Sequence, residues 1–277
     1  MLTSGINFKN YKVKKENLNP KINKFLKSII NEKSQLISSF KNNYKDDFNY
    51  KLIKKYKKYK NFRVIGMGGS SLGAQAIYDF FKDKVKKNFF FVNNLKARSD
   101  KNIKNEVNLI VSKSGNTIET IVNSNILIKK KHKNIFITEN KKNYLRTIAE
   151  KLKADIVSHN NFIGGRYSVL SEVGMLPAEL MGLKSKDFRQ FNSLIKNKFF
   201  LDALVQNVSS TLNFVKHKKY NSIIINYDEK SENLFKWYQQ LIAESLGKKK
   251  KGLLPIISSM PKDNHSVMQL YLDGFKK

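Results

Sequence analysis

The sequence predicts an α/β fold built on parallel strands, and three of its features do so. From Phe62 onward, short runs rich in valine, isoleucine and phenylalanine alternate with longer stretches of helical apolar spacing. That alternation belongs to a parallel sheet covered by helices on both faces. Glycine- and hydroxyl-rich turns directly follow two of these runs, at the strand ends where open α/β sheets bind ligands. A second, shorter alternating unit opens near Ile223. A chain of 277 residues has room for one large domain or two modest ones with a sizeable core.

The first fifty-odd residues read as amphipathic helix. Pro20 precedes Ile22, Phe25, Leu26, Ile29 and Ile30, the apolar spacing of a helix face. The basic run Lys51–Lys60 is expected to be the solvated end of a helix, with Leu52, Ile53, Tyr56 and Tyr59 turned inward. Strands are expected at Phe62–Ile65, Phe89–Val92, Leu109–Val111, Ile135–Thr138 and Ile156–Val157. Helices fall between them near Leu72–Phe81, Ile118–Lys130 and Tyr144–Leu152, and helix continues from Val169 to about Lys216. The second unit reads as strand Ile223–Ile225, helix Asn233–Leu246 and strand Leu253–Ile257. The expected organisation is a helical segment over 1–55, a first α/β unit over 56–205 and a partial second one over 206–277.

Composition narrows the functional classes. Without cysteine there are no disulfides, thiolate metal sites or cysteine nucleophiles. No apolar run reaches the roughly eighteen residues of a membrane helix, and Met1–Lys14 holds no secretion signal; a cytoplasmic protein without membrane partner is expected. The net charge is +31, and the five arginines (Arg63, Arg98, Arg146, Arg166, Arg189) leave 48 lysines among the 53 basic residues. Specific nucleic-acid readers lean on arginine's planar, bidentate donors, and here lysine rises with asparagine and isoleucine along the whole chain. The charge therefore reads as compositional bias without a specific nucleic-acid partner, although a positive field also steers anionic substrates.

Five motifs carry chemistry. Gly66-Met67-Gly68-Gly69-Ser70-Ser71-Leu72-Gly73 joins a strand to a helix; glycines there let backbone N–H groups approach an anion, or simply make a tight turn. Ser112-Lys113-Ser114-Gly115-Asn116-Thr117 sets three hydroxyls at a strand's carboxyl end. Helix capping needs one hydroxyl, so three favour a phosphate monoester held without metal. Gly164-Gly165-Arg166-Tyr167-Ser168 suits a guanidinium brought to a ligand by tight backbone, or a helix entry with a surface arginine. In Ala243-Glu244-Ser245-Leu246-Gly247 a glutamate stands at a helix end that favours cations, which is easier to justify by function than by structure. Asp263-Asn264-His265-Ser266, with Gln269 one turn on, adds a lone histidine.

In this order, GGSSLG, SKSGNT, GGRYSVLSEVGMLP, WYQQLIAESLGK and HSVMQLYLDG make the chain resemble the glucose-6-phosphate isomerase family from about Arg63 to Gly274. The resemblance implies two sugar-isomerase (SIS-type) α/β/α sandwich subdomains with parallel sheets, the second incomplete, in a homodimer. It implies interconversion of glucose 6-phosphate and fructose 6-phosphate through a cis-enediol, with no cofactor and no metal. Ser112, Ser114 and Thr117 would hold the phosphate, with Gly69, Ser70 and the Lys113 backbone nearby. Glu244 falls on the family's base, Arg166 on the residue that stabilises the enediolate, and His265 on the ring-opening histidine supplied by the neighbouring subunit. An aldose–ketose shift needs one base over the C1–C2 edge and a cation that cannot lose its proton, which agrees with these roles. A dual phosphoglucose/phosphomannose isomerase or a non-catalytic sugar-phosphate-binding domain are the alternatives.

Two departures from the family's pattern stand out. Asn264 replaces a glutamine before the histidine. The family also continues well past the position of Gly274 with a lysine that shares in ring opening, and neither Lys276 nor Lys277 stands in a matching context. A truncated enzyme, with an exposed sheet edge and a tendency to aggregate, is expected.

Overall fold

The computed structural model describes residues 19–95, 105–129 and 132–274; Met1–Lys14, Arg98, Lys130, Lys276 and Lys277 lie outside them. The chain forms two compact units, one of residues 1–45 and 186–220, the other of 46–185 and 221–277.

The first unit is helical: α1 (Asn19–Ile30), α2 (Gln35–Ser39), α9 (Phe191–Leu194) and α10 (Lys198–Lys216), following the short α8 (Ser185–Phe188). Helix α1 packs on α10, the Phe40 and Phe191 rings meet at 6.0 Å, and the buried Arg189 lies over Tyr44. The apolar positions expected to bury α1 do so only partly, since no residue of it is buried and Phe25 and Ile29 are exposed.

The second unit holds a five-stranded sheet, β1 (Asn61–Ile65), β2 (Asn88–Val92), β3 (Glu106–Val111), β4 (Lys133–Glu139) and β5 (Asp155–His159), in the order β2-β1-β3-β4-β5. Every neighbouring pair is parallel, with Ile65 opposite Ile110 and Ile110 opposite Phe136. Helices α5 (Ile118–Leu127) and α6 (Tyr144–Lys151) cover one face through Leu127, Leu145 and Ala149 on Ile65, Val92, Ile110 and Phe136. On the other, Tyr78 of α4 (Leu72–Phe80) reaches Phe89 and Phe91, and Phe89 stacks on Phe62. Burial on both faces explains the continuous apolar runs. Helix α3 (Tyr50–Lys57) buries Ile53 and Tyr56 and leaves its lysines in water, as its pattern predicts, and packs on α7 (Glu172–Met181). The fully buried Arg63–Glu106 ion pair joins β1 to β3 at 2.8 Å, and burial holds the Glu106 carboxyl above its usual range against the pull of Arg63.

Each expected strand and helix between Phe62 and Leu152 occurs, with β1 and β2 one residue and β3 and β4 three residues longer than their apolar runs. The second alternating unit is also present: β6 (Asn221–Asn226), α11 (Glu232–Leu246) and β7 (Leu254–Ser259), the strands parallel in a separate two-stranded sheet. This part is far less buried. Helix α11 buries no residue completely, and Ile225 and Leu254 are exposed. Helix α11 packs along α4 and over the turns 68–70 and 165–170, so the two α/β units are joined through the glycine-rich loops.

Candidate active site

Winding begins at β1, goes one way to β2 and the other way to β3. The crevice beyond the carboxyl ends of the strands at such a reversal is where open α/β sheets bind ligands. The glycine-rich loop follows β1 and the hydroxyl-rich loop follows β3, and the two lie side by side. A Cβ on Gly66 would stand 3.0 Å from Val111 O.

The loop 112–117 is fixed by its own short-range bonds. Ser112 Oγ shares a hydrogen bond with Thr117 Oγ1 at 2.9 Å and accepts from the Gly115 N–H at 3.2 Å. Ser114 Oγ accepts from Asn116 N–H. Gly115 has φ +66°, and a side chain there would overlap the amide of the buried Asn143. That asparagine caps α6 through Arg146 N–H and donates to Thr138 and to the Lys141 carbonyl. The start of α6 then grips the loop, with Leu145 N–H donating to Gly115 O and Tyr144 N–H to Asn116 Oδ1. Thr117 stands at the N-cap of α5 without a side-chain capping bond, so its hydroxyl is not consumed by the helix. The Lys113 ammonium turns aside to the Asn161 carbonyl at 2.7 Å and to Glu139 at 3.5 Å. Only its backbone remains with the loop.

The second cluster is assembled over long distances. Gly68, at φ +52°, faces Gln240, and a Cβ on Gly69 would lie 2.5 Å from Arg166 N. Only glycine permits this contact between the two glycine motifs. The Trp237 indole donates to the Arg166 carbonyl at 3.0 Å. Arg166 Nη1 donates to Glu244 Oε1 at 2.8 Å, and its Nε donates to Ser245 Oγ at 2.8 Å. Gln240, one turn before Glu244, donates to Glu244 Oε2 at 3.2 Å. The Tyr167 hydroxyl bonds Ser245 Oγ at 2.7 Å. That bond and, less strongly, Arg166 draw the Tyr167 phenol below its usual range, against burial. The Glu244 side chain is 52% exposed, and so solvated an ion pair stabilises a fold little. Gly247 ends α11 at φ −71°; what demands glycine is the Ala243 carbonyl, 2.5 Å from where a Cβ would stand.

The fold thus brings Gly69, Arg166 and Glu244 together, and Ser112, Ser114 and Thr117 together in the loop after the neighbouring strand β3. His265 lies exposed in a short turn over Lys262–His265, in a segment separate from the Glu244–Arg166 pair. Tyr167, Ser245 and Gln240 lie within the sequence motifs without a role assigned to them, and Asn143 lies in none of them. Gln240 was detectable in principle, because a residue four before a helical carboxylate shares its face. Among the described residues no cluster of three His, Asp or Glu suited to a metal occurs, and no helix is long and apolar enough to cross a membrane.

Comparison with known proteins decides the family. The phosphoglucose isomerase family model matches residues 26–255. This chain belongs to the phosphoglucose isomerase family. It is 38% identical over 246 residues to glucose-6-phosphate isomerase of Methanocaldococcus jannaschii, covering 81% of this chain and 60% of that one. With the enzyme of Campylobacter jejuni subsp. jejuni it shares 32% identity over 240 residues, 78% and 58% of the two chains. The chain therefore spans about three fifths of the length of these curated phosphoglucose isomerases. Among solved structures, a hypothetical protein of Thermus thermophilus superposes with a TM-score of 0.69 at 22% identity, over 93% of this chain and 68% of that one. The tagatose-6-phosphate ketose/aldose isomerase of Escherichia coli gives 0.51 at 14% identity, over 79% and 63%. These two likenesses show a shared fold.

Proposed function

We propose that this chain carries the catalytic centre of an aldose–ketose isomerase that interconverts glucose 6-phosphate and fructose 6-phosphate. The observation that carries the reading is the Arg166–Glu244 pair, a carboxylate and a fixed guanidinium 2.8 Å apart, beside a hydroxyl-lined loop at the sheet's reversal point. In this reading Ser112, Ser114 and Thr117 hold the phosphate with the amides that open α5, and Gly69, Ser70 and the Lys113 backbone complete the cradle. Binding energy from the phosphate, remote from the reacting carbons, holds the open-chain sugar in place. Glu244 removes the proton from C2 of the aldose. The electrons move to the C1 carbonyl oxygen, whose developing charge Arg166 stabilises. The O2 hydroxyl proton passes to O1, and Glu244 returns its proton to C1. One carboxylate suffices because it takes and returns the same proton on one face of a planar cis-enediol.

His265 is assigned to ring opening. Its exposure suits a side chain that serves the site of a neighbouring copy in a homodimer, working in the cytoplasm. The chain is read as a helical segment over 1–55 and two subdomains, 56–205 with β1–β5 and 206–277 with β6 and β7, of which 186–220 cluster with the N-terminal helices.

A coupled assay of fructose 6-phosphate conversion by residues 1–277 and by the Glu244→Gln variant tests the reading. Conversion by the first and none by the second is expected. Equal conversion by both would remove Glu244 from the chemistry. An inactive chain that also fails to bind fructose 6-phosphate would remove the reading altogether.

A further inference from the structure

Arg166 is restrained at more points than an ion pair requires. Its backbone is trapped between the close approach of Gly69 and the Trp237 indole N–H on its carbonyl. Its guanidinium carbon stands 4.7 Å from the centre of the Tyr167 ring. Its Nε is committed to Ser245 Oγ and its Nη1 to Glu244 Oε1, both at 2.8 Å. Since a guanidinium holds its five N–H groups in a rigid plane, these two bonds fix that plane.

Ser245 is placed for this purpose. A helical serine commonly folds its hydroxyl back onto a carbonyl one turn earlier; Ser245 turns its hydroxyl to Arg166 and Tyr167 instead. Accepting from a cation polarises that hydroxyl, which then donates well to the Tyr167 oxygen at 2.7 Å. The lowered phenol of Tyr167 is consistent with that direction of donation. Tyr167 thus touches Arg166 twice, through its ring and through Ser245.

We propose that Ser245 and Tyr167 are positioning residues that set the guanidinium plane of Arg166, so that it answers the negative charge of the enediolate and not the neutral carbonyl of the bound sugar. The proposal rests on the isomerase reading above. It predicts a selective loss. Removing the Ser245 hydroxyl lets the guanidinium rotate, which harms recognition of the charged intermediate more than recognition of the substrate.

The test is binding calorimetry of the 277-residue chain with two probes. One is fructose 6-phosphate; the other is a phosphorylated aldonic acid, whose carboxylate imitates the enediolate. Ser245→Ala should weaken the aldonate about tenfold or more and fructose 6-phosphate less than about threefold, as expected when one preorganised restraint on an oxyanion donor is lost. Tyr167→Phe keeps the ring and should shift the ratio in the same direction by less, and Ser245→Thr, which keeps the hydroxyl, should restore it. In an Arg166→Lys background, Ser245→Ala should add nothing. Equal weakening of both probes, or a Ser245→Ala effect that persists without Arg166, overturns the positioning role while leaving the isomerase reading intact. A parent chain that binds neither probe overturns both.

Discussion

The loop at 112–117 is held by its own side-chain bonds over two to five residues and by the start of α6, 28 positions on, whereas Arg166 meets Glu244 and Ser245 across 78 and 79 positions. The loop rests on β3, buried at every position. Glu244 rides on a helix with no fully buried residue, beside a two-stranded sheet. A phosphate cradle is useful only if it is rigid before the ligand arrives, and local bonds on a packed strand supply that. A proton-transferring carboxylate must instead reach two carbons in turn, and an exposed pair held by hydrogen bonds tolerates that movement better than a buried one.

If the two regions divide the labour in this way, binding and chemistry should separate under mutation. The largest effect is expected for Glu244→Gln, which removes the base while the amide still meets Arg166 and Gln240. The turnover rate should fall about a hundredfold to ten-thousandfold, the usual contribution of a positioned general base, with KM nearly unchanged. Steady-state kinetics in both directions decide this, and a comparable rise in KM would merge the two roles.

Gly115→Ala strikes the other region. Alanine at φ +66°, against the Asn143 amide, should cost about 2–3 kcal/mol of stability from backbone strain and overlap together. Urea unfolding measures that loss, and KM should rise while turnover is largely kept. Wild-type stability in this variant would mean that the loop yields easily, and the rigidity argument would fail with it.

The same division explains what the sequence made legible. Strand–turn–helix units write candidate ligand chemistry into consecutive residues, so the hydroxyl loop of Ser112, Ser114 and Thr117 could be proposed as a phosphate site, and β1 to β5 followed from apolar runs that burial on both faces produces. The strand order could not be read, because nothing local tells β1 to lie between β2 and β3; that order is what makes the two loops neighbours. Arg166 and Glu244 were suggested by their settings and by family likeness, but the partners that fix them, Ser245, Tyr167, Trp237 and Gln240, emerge only from helix α11 crossing the glycine turns. The apolar spacing of α1 overstated its burial, since periodicity reports a face and not whether something covers it.

The smallest expected effect concerns His159, which lies near Lys113 of the hydroxyl-rich loop. It ends β5 opposite Glu139, is 2% exposed, and its Nδ1 lies 3.0 Å from the Asn160 carbonyl. A carbonyl only accepts, so Nδ1 carries the proton. Burial, helped by the nearby Lys113 ammonium, lowers its pKa to about 4, while the Asn160 and Glu139 oxygens pull the other way. Above the ordinary histidine value of 6.5 both folded and unfolded chains are neutral there, and His159 adds no pH dependence. As pH falls below 6.5, the unfolded chain takes up a proton that the folded chain refuses until about 4, so stability declines through that window. At pH 5 the loss relative to pH 7.5 should be about 2 kcal/mol, at roughly 1.4 kcal/mol per pH unit. His159→Asn should flatten this part of the profile in urea unfolding at several pH values. Glu244→Gln should leave it in place, because the proton is taken up on the side of the loop at 112–117 and not at the Arg166–Glu244 pair. A Glu244→Gln chain that lost the slope would show the two regions coupled in stability, and the separation of rigid cradle from mobile base would have to be abandoned.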